Sequence, residues 1–282
     1  QACNVWKFQK KENPYHPYFR TPAVSYILIA IFAQNHPLLM SSKKDWFTDW
    51  FNTKYYHILY QHRDVQEAEL FVSNLLSFLN LQKDSTVLDL ACGKGRHSIY
   101  LNSLGYKVTG SDLSPNSIKE ASAHANENLQ FIVQDMRLPF FKCYDAIFNL
   151  FTSFGYFAED SDDLRVLENI KNSLNDSGVA VIDYLNVKKT LINLVPKETL
   201  TLDGIDFQIT RELKNNFIVK KIEFTSRGKY HSYYERVKCL DAKKFTSYAE
   251  QVGLKIKHIF GDYNLNAFDK EKSNRFILVL SK

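Results

Sequence analysis

Residues 87–97 read VLDLACGKGRH. The run from Thr86 to Ala91 is short and almost wholly apolar, as a strand covered on both faces of a parallel sheet must be. Asp89 interrupts it just before the turn. Gly93 and Gly95 then allow a tight reversal and let a ligand approach the backbone. The following segment has helical spacing through Leu104, and a helix start presents unpaired N–H groups to whatever lies above it. The pattern fits a cofactor-binding turn, and it fits an ordinary turn of an α/β fold as well.

The alternation continues outward from this turn. Asp64 to Asn80 places Val65, Ala68, Phe71, Val72, Leu75, Leu76 and Leu79 at helical spacing, and Asp64 with Glu67 resembles a capping box. Strands are expected at Tyr106–Asp112, Leu129–Gln134, Tyr144–Leu150 and Gly178–Leu185. Ser114-Pro115 sets a helix start, with serine as cap and proline in the first position. Asp163–Leu174 carries Leu164, Leu167, Ile170 and Leu174 on one face and reads as a helix. From Glu198 to Leu240 the period becomes two, broken at Asp203-Gly204, Asn215-Asn216 and Arg227-Gly228, which predicts three or four antiparallel strands. Ala242–Val252 returns to helix, and Leu254–Tyr263 with Asn274–Leu280 supply two last strands. The fold class is therefore α/β: a doubly wound, seven-stranded, mostly parallel sheet with a small antiparallel β insert at about 195–240.

Three strand ends carry acids: Asp89, Asp112 and Asp135. Ligands of open α/β sheets bind at the carboxyl edge of the strands. A carboxylate at Asp112 can accept bonds from both hydroxyls of a ribose, and one at Asp135 can receive an adenine amino group. A nicotinamide dinucleotide fingerprint would want a third glycine for helix packing; its place is taken by Ser98.

The run VLDLACGKGRHSIYLNSLGYKVTGSDLSPNSIKEA resembles the first two motifs of class I S-adenosylmethionine-dependent methyltransferases. FIVQDMRLPFFKCYDAIFNLFTSFGYF resembles their third and fourth strands, and KIKHIFGDY with RFILVLSK their closing antiparallel pair. The likeness covers about Asp45 to Lys282, with Ala91 where the family's first glycine falls. It implies a Rossmann-like methyltransferase fold with S-adenosylmethionine as cofactor. By that resemblance Asp89, Ala91, Gly93 and Gly95 border the methionine part of the cofactor. Asp112 holds the ribose, Leu113 lies against the adenine, and Asp135 with Met136 flanks its other side. Asn149, Leu150 and Phe151 sit beside the donor methyl. The segment NTKYYHILYQHRD (52–64) resembles the N-terminal cover of small-molecule methyltransferases, in which Tyr56 and Arg63 reach the cofactor carboxylate.

The sulfonium donor is already electrophilic, so such an enzyme has chiefly to align a nucleophile and exclude water. Phe151, Phe154 and Tyr156 are candidates to face the cation. His57, His97 and His231 are candidate bases, none singled out. The insert, with Tyr230, Tyr233, Tyr234 and Arg236, is expected to cover the active site and shape acceptor choice, or to form a homodimer interface. The acceptor implied is a small molecule with a nitrogen or oxygen nucleophile. An RNA or protein methyltransferase, a nicotinamide oxidoreductase and a non-catalytic cofactor-binding module are the alternatives.

Charge bears on the RNA alternative. The net charge is +5, but Lys7, Lys10, Lys11 and Arg20 against Glu12 place three of those charges before Met40. The remainder is nearly neutral, which argues against a nucleic-acid partner. Residues 1–39 hold four of the 7 prolines and no clear period; they read as an N-terminal extension, with Met40 as the natural start of a domain at 40–282. The apolar stretch Ala23–Ala33 is too short to span a bilayer, so no membrane partner is expected. Cys3, Cys92, Cys143 and Cys239 show neither C-x-x-C nor zinc spacing. They read as reduced thiols of a cytoplasmic protein without a structural metal.

Overall fold

The computed structural model describes residues 45–61 and 65–282. The expected extension at 1–39, the start at Met40 and the candidate Arg63 lie outside the described residues. Three helices come first: α1 (Trp46–Trp50), α2 (Lys54–Leu59) and α3 (Val65–Leu79). The sheet unit follows as β1 (Thr86–Leu90), α4 (Arg96–Ser103), β2 (Lys107–Asp112), α5 (Pro115–Ala121), β3 (Leu129–Val133), β4 (Tyr144–Asn149), α6 (Asp160–Asn172) and β5 (Leu174–Leu185). A short α7 (Val187–Ile192) leads to the insert strands β6 (Lys197–Leu202), β7 (Ile205–Lys214), β8 (Phe217–Ser226) and β9 (Lys229–Lys238). The chain closes with α8 (Ala242–Val252), β10 (Lys255–Phe260) and β11 (Arg275–Ser281).

The large sheet has seven strands in the order β10-β11-β5-β4-β1-β2-β3. β1 to β5 pair in parallel, while β11 runs antiparallel to both β5 and β10. Strand order reverses beside β1, so its carboxyl end is the topological switch point where open sheets place their ligands.

Side-chain alternation divides each strand between two cores. Leu88, Leu90, Ile147, Ala180, Ile182 and Leu278 pack with Val166, Leu167 and Ile170 of α6 and Phe245 and Tyr248 of α8. Val87, Ala146, Phe148, Val181, Ile277 and Val279 pack with Phe71, Val72 and Leu75 of α3 and Leu101 of α4. Asp89 falls by the same parity on the α4 face, which decides its partner below.

Two elements start three or more residues earlier than expected. Helix α6 begins at Asp160, three residues early, because Asp160, Asp162 and Asp163 occupy its first turn, where the helix dipole favours acids. Strand β5 begins at Leu174 through a register shift against β4, and Gly178 lies where a Cβ would come within 2.9 Å of the Tyr144 carbonyl oxygen.

The insert is a four-stranded antiparallel sheet ordered β6-β7-β8-β9. All three of its two-residue loops have left-handed backbone at both positions, Asp203-Gly204, Asn215-Asn216 and Arg227-Gly228. That is the turn whose twist matches the flanking strands. One face of this sheet buries Phe207, Ile209, Ile222 and Phe224 against Trp50 and Leu59, forming a third core with α1 and α2.

Among the described residues, no helix is long and apolar enough to cross a membrane, and no cluster of His, Cys, Asp or Glu is arranged to hold a metal ion. Cys92 and Cys239 are free thiols.

Gly95 caps α4 with φ of 82°, and a Cβ there would lie 2.6 Å from Cε1 of Phe131 and 3.2 Å from Cβ of Ala121. Gly95→Ala therefore combines left-handed strain with overpacking and should cost about 1–3 kcal/mol. Chemical denaturation measures it; a loss below about 0.5 kcal/mol, the range of an ordinary surface change, would show that the Phe131 ring swings aside.

Candidate cofactor and active site

Ala91 and Gly93 both take left-handed backbone, with φ of 65° and 57°. They carry the chain over the end of β1. Cys92 N–H donates to the Ser111 carbonyl at 3.0 Å and Gly95 N–H to the Cys92 carbonyl at 3.0 Å, which closes the turn. A side chain added at Gly93 would meet nothing within 4 Å, so the turn faces open space.

Asp112, at the end of β2, fixes two loops at once. Its Oδ2 accepts the Gly93 N–H at 2.8 Å and its Oδ1 the Ser114 N–H at 2.8 Å. Each oxygen keeps acceptor capacity, since a carboxylate offers about four lone-pair sites. Ser114 Oγ caps α5 through Ser117 N–H at 3.1 Å and donates to Asn52 Oδ1 at 2.8 Å. Asn52 lies between α1 and α2, so those helices are hooked directly to the strand-end loops.

Asp89 is buried and accepts one side-chain bond, from Ser98 Oγ at 2.6 Å. Burial pushes its carboxyl up to about 6, with the nearby Asp112 adding to the rise and Ser98 and Arg96 opposing it. Burial also raises Asp112, against the N–H bonds it accepts from Ser114 and Gly93. Two carboxylates under a glycine turn and short of water favour a cationic or hydroxyl-rich ligand.

The turn opens into a cavity of about 420 Å³. The structure brings Tyr56, Asp89, Ala91, Gly93, Asp112, Leu113, Asp135, Met136, Leu150 and Phe151 together on its wall. Gly95 is not on the wall and serves helix packing instead. Asn149 is buried and also off the wall, donating from Nδ2 to the Leu90 carbonyl at 3.0 Å, which ties the ends of β4 and β1. Asp135 reaches the wall with its carboxylate already engaged: Arg137 meets it through Nη2 at 2.6 Å and Nε at 3.1 Å, with the Arg137 guanidinium also 4.7 Å over the Phe157 ring.

Of the aromatic candidates, Phe151 and Tyr156 line the cavity, whereas Phe154 is core and packs on Phe245. Of the histidines, His57 and His97 line it. His231 stacks on Phe224 inside the insert, with ring centroids 4.9 Å apart. None of the insert's residues lines the wall; the insert packs on the cover and holds it. Glu235 of β9 accepts Trp50 Nε1–H at 2.7 Å and the Tyr60 hydroxyl at 2.6 Å, and Lys220 of β8 donates to that hydroxyl at 2.7 Å. Phe47, Phe51, Tyr56 and Tyr60 are thereby set along the cavity wall. Sequence reasoning missed Phe47, Phe51, Tyr60 and Arg96. Arg96, whose guanidinium lies 4.5 Å over the Phe151 ring, stood beside the glycine turn and was the one with a local signal.

The comparisons agree with this geometry. A family model described as a methyltransferase domain matches residues 81–238, more than half of the chain. The chain belongs to this family, the class I S-adenosylmethionine-dependent methyltransferases, and S-adenosylmethionine is the cofactor of that class. A putative methyltransferase of Geobacillus sp. (strain WCH70) is 30% identical over 123 residues, covering 42% of this chain and 50% of that one. The chain thus spans about half the length of the curated relatives it matches. An S-adenosylmethionine-dependent methyltransferase from Clostridium acetobutylicum shares the fold, with TM-score 0.68, 19% identity and coverage of 80% and 95% of the two chains. The sugar N-methyltransferase KedS8 from Streptoalloteichus sp. does so with TM-score 0.63, 16% identity and coverage of 80% and 93%.

Asp89 sets a conflict between binding and stability. Its folded pKa of about 6 lies above the ordinary carboxylate value of 3.8. The neutral form is therefore favoured by folding, and the ionised form carries a penalty that is absent below 3.8, grows to about pH 6 and is constant above. A shift of this size corresponds to about 3 kcal/mol. Asp89→Asn should raise the thermal midpoint of the ligand-free protein at pH 7.5, with the gain shrinking toward zero near pH 4. Melting curves across that range check it, and an unchanged midpoint at pH 7.5 would refute it.

Proposed function

We propose that this protein transfers the methyl group of S-adenosylmethionine to a nitrogen or oxygen nucleophile of a small molecule. The observation that carries the reading is the cavity, with Asp89, Asp112 and the open backbone of Gly93 on one side and the aromatic cover of α1 and α2 on the other. Its volume is within the range of small-molecule sites. The residues present fit the cofactor. Asp112 has acceptor capacity left for ribose hydroxyls, Asp89 offers a buried negative charge for the ammonium of the methionine part, and Gly93 leaves room for close approach. Leu113 and Met136 supply apolar wall for an adenine ring.

When bound, the cofactor supplies an electrophilic methyl on a sulfonium. The chain's own work is orientation and dehydration. Phe47, Phe51, Tyr56 and Tyr156 line the cavity with ring surface, which keeps water from competing and stabilises positive charge by about 0.5–2 kcal/mol per well-placed ring. Orientation can supply up to about 7–11 kcal/mol of rate in favourable cases, so no strong base is required when the acceptor is an uncharged amine. His57 and His97 are the lining groups able to take a proton from an acceptor. The cavity has the volume of a small-molecule site, and the sugar N-methyltransferase KedS8 shares the fold; both support a small acceptor over a polymer.

Calorimetric titration should show S-adenosylmethionine binding with micromolar affinity. Asp112→Ala should weaken it at least tenfold, in keeping with about 1.5–3 kcal/mol for hydrogen bonds to a charged group. Labelled methyl from S-adenosylmethionine should then enter the low-molecular-mass fraction of a cell extract. No binding by the intact protein, or label only in RNA or protein, would overturn the proposal.

A further inference from the structure

The exit of β4 is held by groups that neither the glycine turn nor the cover explains. Phe151 and Thr152 are consecutive non-glycine residues in left-handed backbone, with φ of 57° and 60°. Such a residue costs on the order of 1–3 kcal/mol and persists only where its surroundings over-determine it. Here they do. Asp183, fully buried in β5, accepts the Phe151 N–H at 2.8 Å through Oδ2, and its carbonyl accepts the Thr152 N–H at 3.0 Å. Its Oδ1 accepts Arg275 Nε–H at 2.7 Å, and Arg275 reaches across with Nη2 to Thr152 Oγ1 at 2.8 Å. The Tyr263 hydroxyl also donates to Asp183 Oδ2, at 3.3 Å. One ion pair with a fully buried carboxylate, from two antiparallel neighbours, thus fixes both backbone and side chain of a strained turn.

The turn delivers one ring to the cavity. Phe151 stacks on His97, with centroids 5.0 Å apart and planes 12° apart, and lies under the Arg96 guanidinium. The β4 exit is therefore clamped to the first residues of α4, next to the glycine turn. Phe151 and Ser153 line the cavity and Thr152 between them does not.

We propose that Asp183 and Arg275 are positioning residues for methyl transfer, which set the Phe151–Thr152 turn against the sulfonium end of the bound cofactor. The inference rests on the cofactor reading above. It requires the pair to matter for the methyl-bearing sulfonium more than for the adenosine part. S-adenosylhomocysteine lacks the methyl and its charge and keeps the rest, so the ratio of the two affinities isolates that end.

The test is calorimetric titration of the full chain with S-adenosylmethionine and S-adenosylhomocysteine, comparing wild type, Asp183→Asn, Thr152→Val and Thr152→Ser. Thr152→Val removes only the acceptor for Arg275, so it should weaken S-adenosylmethionine about fivefold or more and S-adenosylhomocysteine less than about twofold, as loss of one bond to a charged group implies. Thr152→Ser should restore the wild-type ratio. Asp183→Asn should change the ratio further; if it fails to fold, the threonine pair still decides. Equal losses for both ligands, or no loss in Thr152→Val, would overturn the positioning role while leaving the cofactor reading intact. A wild-type protein that binds neither ligand would instead overturn the cofactor reading and the inference with it.

Discussion

One carboxylate, that of Asp112, holds together the sheet edge that borders the cavity. It accepts backbone N–H groups from the β1–α4 turn and the β2–α5 turn at 2.8 Å each. These turns come from adjacent strands, so a single side chain sets their separation. Without it Gly93 and Ser114 would present orphaned donors at helix entrances, a cost comparable to other unpaired polar groups held from water. The cover depends on the same joint, because Asn52 docks on Ser114 and Asn116. Roof and floor of the cavity are thus referred to one point.

The insert acts at a distance from that point. None of its residues lines the cavity, yet its inner face forms the third core with Trp50 and Leu59. Its polar contacts are equally directed: Glu235 and Lys220 bind Trp50 and Tyr60 rather than each other alone. A buried ion pair gives little net stability, but removing one partner is costly. The cluster therefore specifies where the cover sits more than how firmly the protein folds. Lys238, at the end of β9, performs the matching task on the other side, pairing with Asp163 and Asp160 of α6 while the Tyr184 hydroxyl donates to its carbonyl.

What could be read from the sequence was whatever has local cause. Strand and helix periods gave the seven-stranded order of elements, and Asp-Gly, Asn-Asn and Arg-Gly marked the three insert turns because Gly, Asn and Asp tolerate left-handed backbone. The acids at 89, 112 and 135 were legible as strand ends. Their partners were not. Arg137 stands two residues from Asp135, and nothing local says that its guanidinium folds back on that carboxylate. Ser98 was read as a missing glycine, whereas its hydroxyl is the hydrogen-bond donor to Asp89 and the close packing falls to Gly95 and Gly110 against Phe131. Asp183 and Arg275 lie 92 residues apart, and Tyr60 and Glu235 lie 175 apart; such pairings exist only once the sheet is assembled. Helix α1 spans 5 residues, too few to show a period.

The remaining question is why so much charge is buried at one edge of an otherwise apolar sheet. Asp183 is neutralised by Arg275. Asp89 and Asp112 are treated differently: burial raises both, and each is answered chiefly by neutral N–H or O–H donors. A fold selected for stability alone would place an apolar residue at Asp89, as the neighbouring Val87, Leu88 and Leu90 show is feasible in the same strand. Keeping a carboxylate there is favourable only if something positive comes to it. Among the described groups Arg96 is the cation that lowers Asp89, and it acts through space without a bond to that carboxylate, its guanidinium resting on Phe151. Among the described residues no cation is bonded to either carboxylate, and such a pair favours a ligand that carries its own cation and hydroxyls over a neutral or anionic one.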